Sequence, residues 1–392
     1  MHIVFDDYPQ PSIKETERNR RGEDDRTYVI TGPQQRRVPK DMNDALKSTS
    51  FKKELPQFLA KERQDQSYAS VLGDCEVYLD VPGNCYKFYI EHGIMKRNTV
   101  DELRNNHEEA DIKTCLHARA ADCKNGEIVV RASDTDIAVI LLYHCSKFDA
   151  TLWMDVGVAS IHNRCYISIT RIYELLGPQL CTSLPGFHAL TGSDYTFAFV
   201  RKGKIRPFKI LAQSTEYQRA FRCLSSGRTI SLSTITILQK FTSVMYGAKA
   251  NRYTTLNSYR YQKFVETCGP KEKGQHPLSK LKGIDSSSLP PCEAEVNTHI
   301  KRASFVANMW ARADKNLLQQ HPAKENGWEI TNGHYQLIWF EGEQLPESLI
   351  PEEEEFPECE EDDIDAVTSC EGESESSDDD DDEDEDDDND EH

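Results

Sequence analysis

The first half of the chain alternates short apolar runs with longer amphipathic segments. Residues 2–5 (HIVF) predict a short buried strand, and residues 75–90 alternate around Pro-Gly-Asn, which is typical of a β-hairpin. Residues 107–123 (HEEADIKTCLHARAADC) have their apolar positions at helical spacing. A strand over 127–132 and a helix carrying 137–144 follow. Strands that alternate with helices predict an α/β fold with a parallel sheet flanked by helices.

From about residue 151 onward the pattern changes from alternating strands and helices to mostly helices. The runs TLWMDV and RCYISI predict two further strands, after which helices dominate from Thr170 to about Tyr246, interrupted at LPGFHALTGSDYT and RKGKIRP. A last helix is expected over 292–317, followed by the strand YQLIWF. The pattern divides the chain into a domain over 1–215, a helical extension over 216–268, a Pro/Gly/Ser-rich linker over 269–291, a small helix-strand segment over 292–350 and a tail over 351–392.

Charge separates the tail from the rest of the chain. The whole chain has a net charge of −21, and residues 351–392 contain 26 acidic and no basic residues, so residues 1–350 carry a net charge of +5. The run SESSDDDDDEDEDDDNDEH has no apolar residue and repels itself, so we expect a disordered acidic tail. The tail either serves solubility, competes with nucleic acid for the basic body, or binds basic proteins such as histones.

Compartment and membrane association follow from simpler features. The N-terminal residues lack the basic and apolar regions of a secretory leader, and no segment approaches the roughly 18 apolar residues of a membrane span. The 12 cysteines occur singly, without the pairs of a structural zinc site. We therefore expect reduced thiols, a nuclear or cytoplasmic location and no membrane partner.

Two aspartates, Asp134 and Asp136, stand between a predicted strand and the apolar run 137–144. One interpretation is helix capping, which is common for aspartate at this place. The other is a metal site, because side chains two apart on an extended segment point to the same side and ligands bind beyond the carboxyl ends of strands. The pair alone leaves both interpretations open.

Further acidic residues favour the metal interpretation. Glu108, Glu109 and Asp111 lie at the start of the predicted helix in HEEAD, and Asp194 lies on a Gly-Ser turn. Magnesium prefers oxygen ligands, and a pair of ions that clamps a phosphoryl displacement needs carboxylates from several elements. Glu109 and Asp111 share a target only at a frayed first turn, because residues two apart lie about 200° apart on a helix. Glu108 is therefore the alternative to Glu109.

The motifs HEEADIKTCLHA, VVRASDTDIAVILL and LPGFHALTGSDYTFAFVRKGKIRPFKIL resemble, in this order, three motifs of the flap-endonuclease branch of the PIN-like nucleases. That branch has a Glu-Ala-Glu helix start, an Asp-x-Asp strand end and a Gly-x-Asp-Tyr turn. VFDDYPQPSIKETERNRRG resembles its Val-Phe-Asp strand and basic helix. The resemblance covers about residues 1–215, and the motifs run as in transposon-associated animal proteins of this superfamily.

The resemblance implies a PIN-like domain, with a mostly helical C-terminal extension, that cleaves nucleic acid with two Mg²⁺ or Mn²⁺ ions. The implied metal ligands are Asp6, Glu109, Asp111, Asp134, Asp136 and Asp194. The implied phosphate-handling bases near the N-terminus are Lys14, Arg18 and Arg21. The expected partner is nucleic acid, with DNA favoured over RNA.

The chain departs from the family in three places. The part beyond about residue 216 has no counterpart in the catalytic core of the family. The family's preceding strand, which carries another aspartate, has no counterpart before Asp6, so we expect a fragment of a longer protein or a degenerate copy. In the DNA-gripping turn, Ala198 and Arg201 stand where the family has glycine, and Gly203 alone matches. The alternative function is accordingly a non-catalytic nucleic-acid-binding protein or a domesticated transposon protein.

A basic cluster and several aromatic residues complete the candidates. Bases beside a glycine turn at a helix start are suited to phosphate, although a solvated helix face is the simpler interpretation. This predicted nucleic-acid-binding cluster comprises Arg201, Lys202, Gly203, Lys204, Arg206 and Lys209. We expect packing rather than base-stacking roles for Tyr195, Phe197, Phe199, Trp310 and Trp339, and structural roles for His107, His117, His144 and His188.

Overall fold

The fold belongs to the α/β class, as predicted. A computed structural model describes residues 1–20, 27–30, 32, 42–157, 163–249, 254–268, 286–317 and 323–342. Residues 1–342 form one compact unit. The predicted phosphate-binding Arg21, most of the predicted linker and the acidic tail lie outside the described residues.

Nine strands and thirteen α-helices are present in the described ranges. The strands are β1 His2–Ile3, β2 Val77–Val81, β3 Asn84–Glu91, β4 Ile94–Thr99, β5 Glu127–Arg131, β6 Thr151–Val156, β7 Cys165–Ser168, β8 Trp328–Thr331 and β9 His334–Leu337. The helices are α1 Glu15–Arg20, α2 Met42–Ala45, α3 Thr49–Glu62, α4 Ala69–Leu72, α5 Ala110–Ala120, α6 Thr135–His144, α7 Ile169–Leu176, α8 Pro178–Thr191, α9 Ile205–Ala212, α10 Thr215–Leu224, α11 Leu232–Met245, α12 Leu256–Cys268 and α13 Glu293–Ala311.

The sheets are mixed, whereas the sequence pattern predicts parallel strands. The first sheet has the order β1-β2-β3-β4, and only β1 and β2 are parallel. The predicted hairpin is confirmed as β2–β3. A second tight turn, with positive φ at His92 (51°) and Gly93 (77°), connects β3 to β4. Two-residue turns of this kind join only antiparallel neighbours, which explains the difference from the prediction.

The second sheet has the order β5-β6-β7, in which β5 and β6 are parallel and β7 is antiparallel to β6. The helix α6 follows β5 directly and connects it to β6, as expected for a parallel crossover. Strands β8 and β9 form a separate antiparallel pair. The carboxyl ends of β1 and β5 lead to the predicted site residues Asp6 and Asp134.

A buried ion-pair network fixes α5 against the first sheet. The ammonium of Lys113 lies 2.9 Å from a carboxylate oxygen of Asp7 and 2.8 Å from one of Asp80 on β2. His117, one turn further along α5, lies 3.2 Å from the other oxygen of Asp80. The backbone N–H of Asp7 also donates to the carbonyl of Glu108 at 2.6 Å. These contacts hold the segment after β1 beside the start of α5.

Helix α8 forms the centre of the main hydrophobic core. The sequence pattern predicts a break in the helices at Pro185 and Gly186, but both residues lie inside α8 and are buried. A Cβ on Gly186 would lie 2.3 Å from the carbonyl oxygen of Phe221 on α10. The glycine therefore permits the close packing of α8 and α10, and burial of this helix outweighs the helix-breaking tendency of Pro-Gly.

The main core also includes residues from the C-terminal segment. Buried residues from Ile112 to Trp328 form one cluster, to which Ile300 and Trp310 of α13 belong. The ring of His299 donates to the carbonyl of Leu190 at 2.8 Å, which joins α13 to α8. The predicted boundaries at 215 and 291 thus lie within a single compact unit. In the part of the chain described, no helix combines the length and apolarity needed to cross a membrane.

Candidate functional site

Five of the six carboxylates predicted as metal ligands line one cleft of about 370 Å³. They come from the segment after β1, the starts of α5 and α6, and the turn after α8. The five are Asp6, Glu109, Asp111, Asp134 and Asp194. The sixth, Asp136, is not among the residues that line this carboxylate cleft.

The start of α5 places Glu109 and Asp111 together. Glu109 is the N-cap residue with extended backbone angles, and Asp111 lies in the first helical turn. The two side chains therefore face one cleft although a regular helix would separate them. Asp6 lies beside the start of α5, because its Oδ1 accepts a hydrogen bond of 2.7 Å from the N–H of Ala110. Of the two candidate glutamates, Glu109 lines the cleft.

Glu108 points to a different set of partners. Its carboxylate lies 2.8 Å from the guanidinium of Arg18 and accepts a hydrogen bond from the hydroxyl of Ser12. Arg18 also contacts Glu109 at 3.1 Å. Glu108 therefore orients Arg18, which lines the carboxylate cleft.

Asp134 and Asp136 take different roles. Asp134 is the N-cap of α6, and its Oδ1 accepts from the N–H of Asp136 at 2.9 Å. The capping interpretation is thus confirmed for Asp134, which also lines the cleft. The expectation that both side chains point to one side is wrong, because the helix begins at Thr135 and the segment is not extended through Asp136. Asp136 is buried instead.

The carboxylate of Asp136 is hydrogen-bonded to His188, which in turn contacts the half-buried Lys204. Oδ1 of Asp136 lies 2.7 Å from Nε2 of His188, and the ammonium of Lys204 donates to Nδ1 of His188 at 2.8 Å. His188 is therefore the tautomer that carries its proton on Nε2. Lys204 also donates to the carbonyl of Gly192 at 2.6 Å. Burial lowers the pKa of Lys204 to about 8, against the opposing effect of Asp136.

Asp194 lies at the tip of a tight turn after α8. Ser193 and Thr196 exchange backbone hydrogen bonds of 3.0 and 3.1 Å around Asp194 and Tyr195. Gly192, with φ of 116°, precedes the turn, and a Cβ there would lie 2.7 Å from Cα of Ala198. The glycine of the Gly-Ser-Asp-Tyr motif is therefore needed to present Asp194 to the cleft.

Lys14 is the most deeply buried base in the cleft, with 5% of its surface exposed. Its ammonium lies 2.7 Å from Glu109, 3.5 Å from Asp194 and 4.4 Å from the centre of the Tyr195 ring. Burial disfavours the charged form of Lys14 and lowers its pKa. The nearby carboxylates of Glu109, Asp194 and Asp111 together outweigh this effect, so the pKa of Lys14 is raised. Lys14 thus supplies a fixed positive charge to the cleft.

Two acids of the cleft nevertheless resist ionisation. Burial raises the pKa of Glu109 to about 7, against the lowering effect of Lys14. Burial also raises the pKa of Asp111 to about 7. Lys14 opposes this rise, and the charge of Asp134 adds to it. Carboxylates that crowd a buried site in this way have more negative charge than their surroundings neutralise.

The donor type suits magnesium, but the acids do not form a finished ligand set. Among the residues that the structure describes, no group of three or more Asp, Glu, His or Cys side chains is close enough to hold a metal ion. The ammonium of Lys14 lies between Glu109 and Asp194 instead. Cation binding would therefore require Lys14 to withdraw and the carboxylates to approach one another.

The predicted basic cluster after the Asp194 turn lies outside the carboxylate cleft. Arg201, Gly203, Arg206 and Lys209 are exposed around the start of α9, and Lys204 is directed inward to His188. The bases that line the cleft include Lys47 and Lys52, which sequence analysis missed. Lys47 lies between α2 and α3 and Lys52 lies near the start of α3, and neither belongs to a recognisable motif, so no local signal identifies them.

Comparison of the chain with protein-family models, with curated proteins and with solved structures gives no significant match. The resemblance to PIN-like nucleases therefore rests on the sequence motifs alone.

Proposed function

We propose that this chain is a PIN-like, metal-dependent nuclease that acts on nucleic-acid phosphodiesters. The observation that carries the proposal is the carboxylate cleft, to which four separate segments contribute five acids. Clustered carboxylates destabilise one another unless a cation joins them, so their convergence favours a cation site over a purely structural role. The order of the three sequence motifs adds support from the resemblance to the flap-endonuclease branch.

Mg²⁺ or Mn²⁺ is the cation that this donor set suits, since carboxylate oxygens are its preferred protein ligands. Asp134 and Asp194, joined by Asp136 if it leaves His188, would hold one ion. Glu109, Asp111 and Asp6 would hold the second. When bound, such ions polarise a phosphodiester and lower the pKa of water.

The chain's own bases would position the substrate. Arg18, Lys47 and Lys52 line the cleft beside the acids and are suited to phosphate oxygens. Tyr8 lies beneath two of them, with the guanidinium of Arg18 4.8 Å and the ammonium of Lys52 5.7 Å from its ring centre. This rim of bases would hold the backbone of a strand across the carboxylates. DNA is the favoured substrate.

One observation favours the alternative, a non-catalytic nucleic-acid-binding or domesticated transposon-derived protein. The ammonium of Lys14 already neutralises Glu109 and lies 3.5 Å from Asp194. Because this ammonium offsets part of the negative charge, the acids of the cleft can lie together without a metal ion. In that case the rim bases bind the strand and no bond is broken.

The experiment is a cleavage assay with the full chain. Fluorescent single-stranded, double-stranded and flapped DNA, and the same single strand as RNA, are incubated with Mg²⁺, Mn²⁺ or a chelator. We expect divalent-dependent cleavage that Asp134→Asn reduces at least a hundredfold, since removal of one ligand of this kind costs several kcal/mol of transition-state stabilisation.

The control variant is Asp101→Asn, which changes an exposed acid outside the cleft. Cleavage that is equal in the wild type and Asp134→Asn would assign the activity to a contaminant. Binding of DNA without cleavage under any of these conditions would favour the non-catalytic alternative.

A further inference from the structure

A second cavity, of about 320 Å³, lies between the segment after the Asp194 turn and the C-terminal helices. Four aromatic side chains line it: Phe197, Phe199, Tyr246 and Trp339. Helix α13 contributes His299 and Arg302 to the same wall. The size of the cavity, and a lining that combines aromatic and aliphatic side chains with a smaller number of polar ones, are typical of a small-molecule site. We call it the aromatic cavity.

Part of this lining is exposed, contrary to the expectation from sequence that Phe197 and Trp339 pack in the core. Phe197 is 39% exposed and Trp339 is 58% exposed, and their rings stack at 4.3 Å with an interplanar angle of 25°. Val200 beside them is 51% exposed. Adjoining exposed apolar side chains of this size usually mark a binding surface.

Arg302 brings an uncompensated charge to the aromatic cavity. It is 2% exposed, and its Nη1 donates to the carbonyls of Gly327 at 3.1 Å and Ile338 at 2.7 Å. Its Nε is buried without a hydrogen-bond partner. Burial lowers the pKa of Arg302 to about 10, and among the described residues no neighbouring charge offsets this effect. A buried donor left in this state favours a ligand with an acceptor.

His299 offers the opposite group. Its Nε2 donates to the carbonyl of Leu190 at 2.8 Å, and burial lowers its pKa to about 4. The ring is therefore neutral at pH 7 and keeps a lone pair on Nδ1 as an acceptor. The wall that α13 presents to the aromatic cavity thus combines a donor and an acceptor beside aromatic rings.

Besides Arg302, the lining of the aromatic cavity includes one further base, Arg260, and one acid, Glu295, and Lys202 adjoins the lining at Tyr246. The ammonium of Lys202 lies 4.6 Å from the ring centre of Tyr246. Burial lowers the pKa of Lys202, and the nearby charges of Arg206 and Lys263 lower it further. Bases that repel one another in this way gain stability when an anion such as phosphate binds between them.

We propose that the aromatic cavity binds a nucleotide unit, with the planar base against the aromatic rings and the phosphate at Lys202. A flat base that carries both donors and acceptors matches the rings, Arg302 and His299, and a phosphate matches the ammonium of Lys202. The inference deepens the proposed function, because a nucleotide unit belongs to the same substrate class. Its binding is measured separately from cleavage.

The position of the aromatic cavity relative to the carboxylate cleft supports a common substrate. A smaller groove shares Asp194 with the carboxylate cleft and Phe197 with the aromatic cavity. Asp194 and Phe197 are only three positions apart in the sequence. A strand that crosses the carboxylates at Asp194 therefore passes close to the stacked pair of Phe197 and Trp339.

The experiment measures ligand affinity by isothermal titration with the full chain. The ligands are adenosine and guanosine monophosphates, the two nucleosides, inorganic phosphate and a single-stranded trinucleotide. We expect Trp339→Ala to weaken binding of every base-containing ligand by about tenfold or more, the order of one lost stacking contact. Lys202→Gln should weaken the monophosphates and the trinucleotide but leave the nucleosides unchanged. Lys124→Gln, at an exposed lysine before β5, is the matched control.

Tighter binding of the trinucleotide than of the monophosphates would identify the ligand as part of a strand, and the reverse would identify a free nucleotide. Either result supports the proposal if both variants act as expected. Phosphate that binds as tightly as the monophosphates, or affinities that neither variant changes, would overturn it. Repeating the titration with Asp134→Asn separates this proposal from the nuclease proposal, because nucleotide affinity should persist when cleavage is lost.

Discussion

Replacement of Asp111 by asparagine should stabilise the protein, which is unusual for a half-buried residue in a helix. Asp111 lies in the first turn of α5 and faces the other acids of the carboxylate cleft. Burial, aided by Asp134 against the effect of Lys14, raises its pKa from 3.8 to about 7. Because one pKa unit corresponds to 1.36 kcal/mol, the ionised side chain costs the fold about 4 kcal/mol above pH 7.

The sign of the pH dependence follows from the direction of this shift. The folded-state pKa of Asp111 lies above the unfolded-state value, so the cost is absent below about pH 4. It grows as the pH rises from about 4 to 7 and is constant above that range. Asparagine has the same shape without the charge. The variant should therefore gain about 2 kcal/mol in free energy of unfolding at pH 5 and about 4 kcal/mol at pH 8.

The assay is urea denaturation of the full chain, followed by far-ultraviolet circular dichroism at both pH values without divalent cations. Asp101→Asn is the control, because the carboxylate of Asp101 is exposed and lies 3.6 Å from Arg104 on the surface. It should change the free energy of unfolding by less than about 1 kcal/mol at either pH. A gain for Asp111→Asn that is the same at pH 5 and pH 8, or a loss at pH 8, would refute the reasoning.

Three further changes probe packing, charge and the tail. Gly186→Ala should lower the free energy of unfolding by about 2 kcal/mol or more, because the new Cβ would lie 2.3 Å from the carbonyl of Phe221; thermal denaturation measures this. Lys14→Met should destabilise the metal-free chain by about 3 kcal/mol, since it leaves Glu109 without its closest cation, and should enlarge the rise in melting temperature caused by Mg²⁺. Truncation after Ile350 changes the net charge from −21 to +5 and should tighten DNA binding, with log affinity falling linearly as log salt concentration rises.

Each of these three predictions has an outcome that would contradict it. For packing, Gly203→Ala is the matched control, because a Cβ there would meet nothing within 4 Å, and equal losses for the two glycines would remove the close-approach argument. For charge, a Lys14→Met chain as stable as the wild type would show that Lys14 does not neutralise Glu109. For the tail, matching salt titrations of the full and truncated chains would limit residues 351–392 to a solubilising role.

Local signals in the sequence predicted much of the fold. Alternation predicted the β2–β3 hairpin, and the placement of Asp134 before an apolar run predicted the start of α6. Strand β4 was missed, because its residues IMKRNT are mostly exposed and lack an apolar face. The break expected at Pro185 and Gly186 did not occur, because packing against α10 decides the structure there.

Sequence motifs predicted most of the acids of the carboxylate cleft, but they did not predict the contacts between its residues. Five acids chosen from the sequence motifs line one cleft. The pairing of Asp136 with His188 joins residues 52 apart, and that of Lys14 with Glu109 joins residues 95 apart. Contacts at such separations depend on the tertiary fold, so no periodicity or local motif reveals them. For the same reason, the aromatic cavity, built from residues 197 to 339, was not foreseen.

Manganese binding tests most directly the claim that the carboxylate cleft is a cation site. Mn²⁺ is titrated into the wild-type chain, Asp111→Asn and Asp134→Asn, and free Mn²⁺ is measured by electron paramagnetic resonance. The acidic tail is the same in all three proteins, so its weak binding cancels in the comparison. Beyond the weak binding by the tail, we predict one or two tight Mn²⁺ sites in the wild type. Each variant should lose these sites or bind Mn²⁺ there at least tenfold more weakly. Identical titrations for the three proteins would contradict the account.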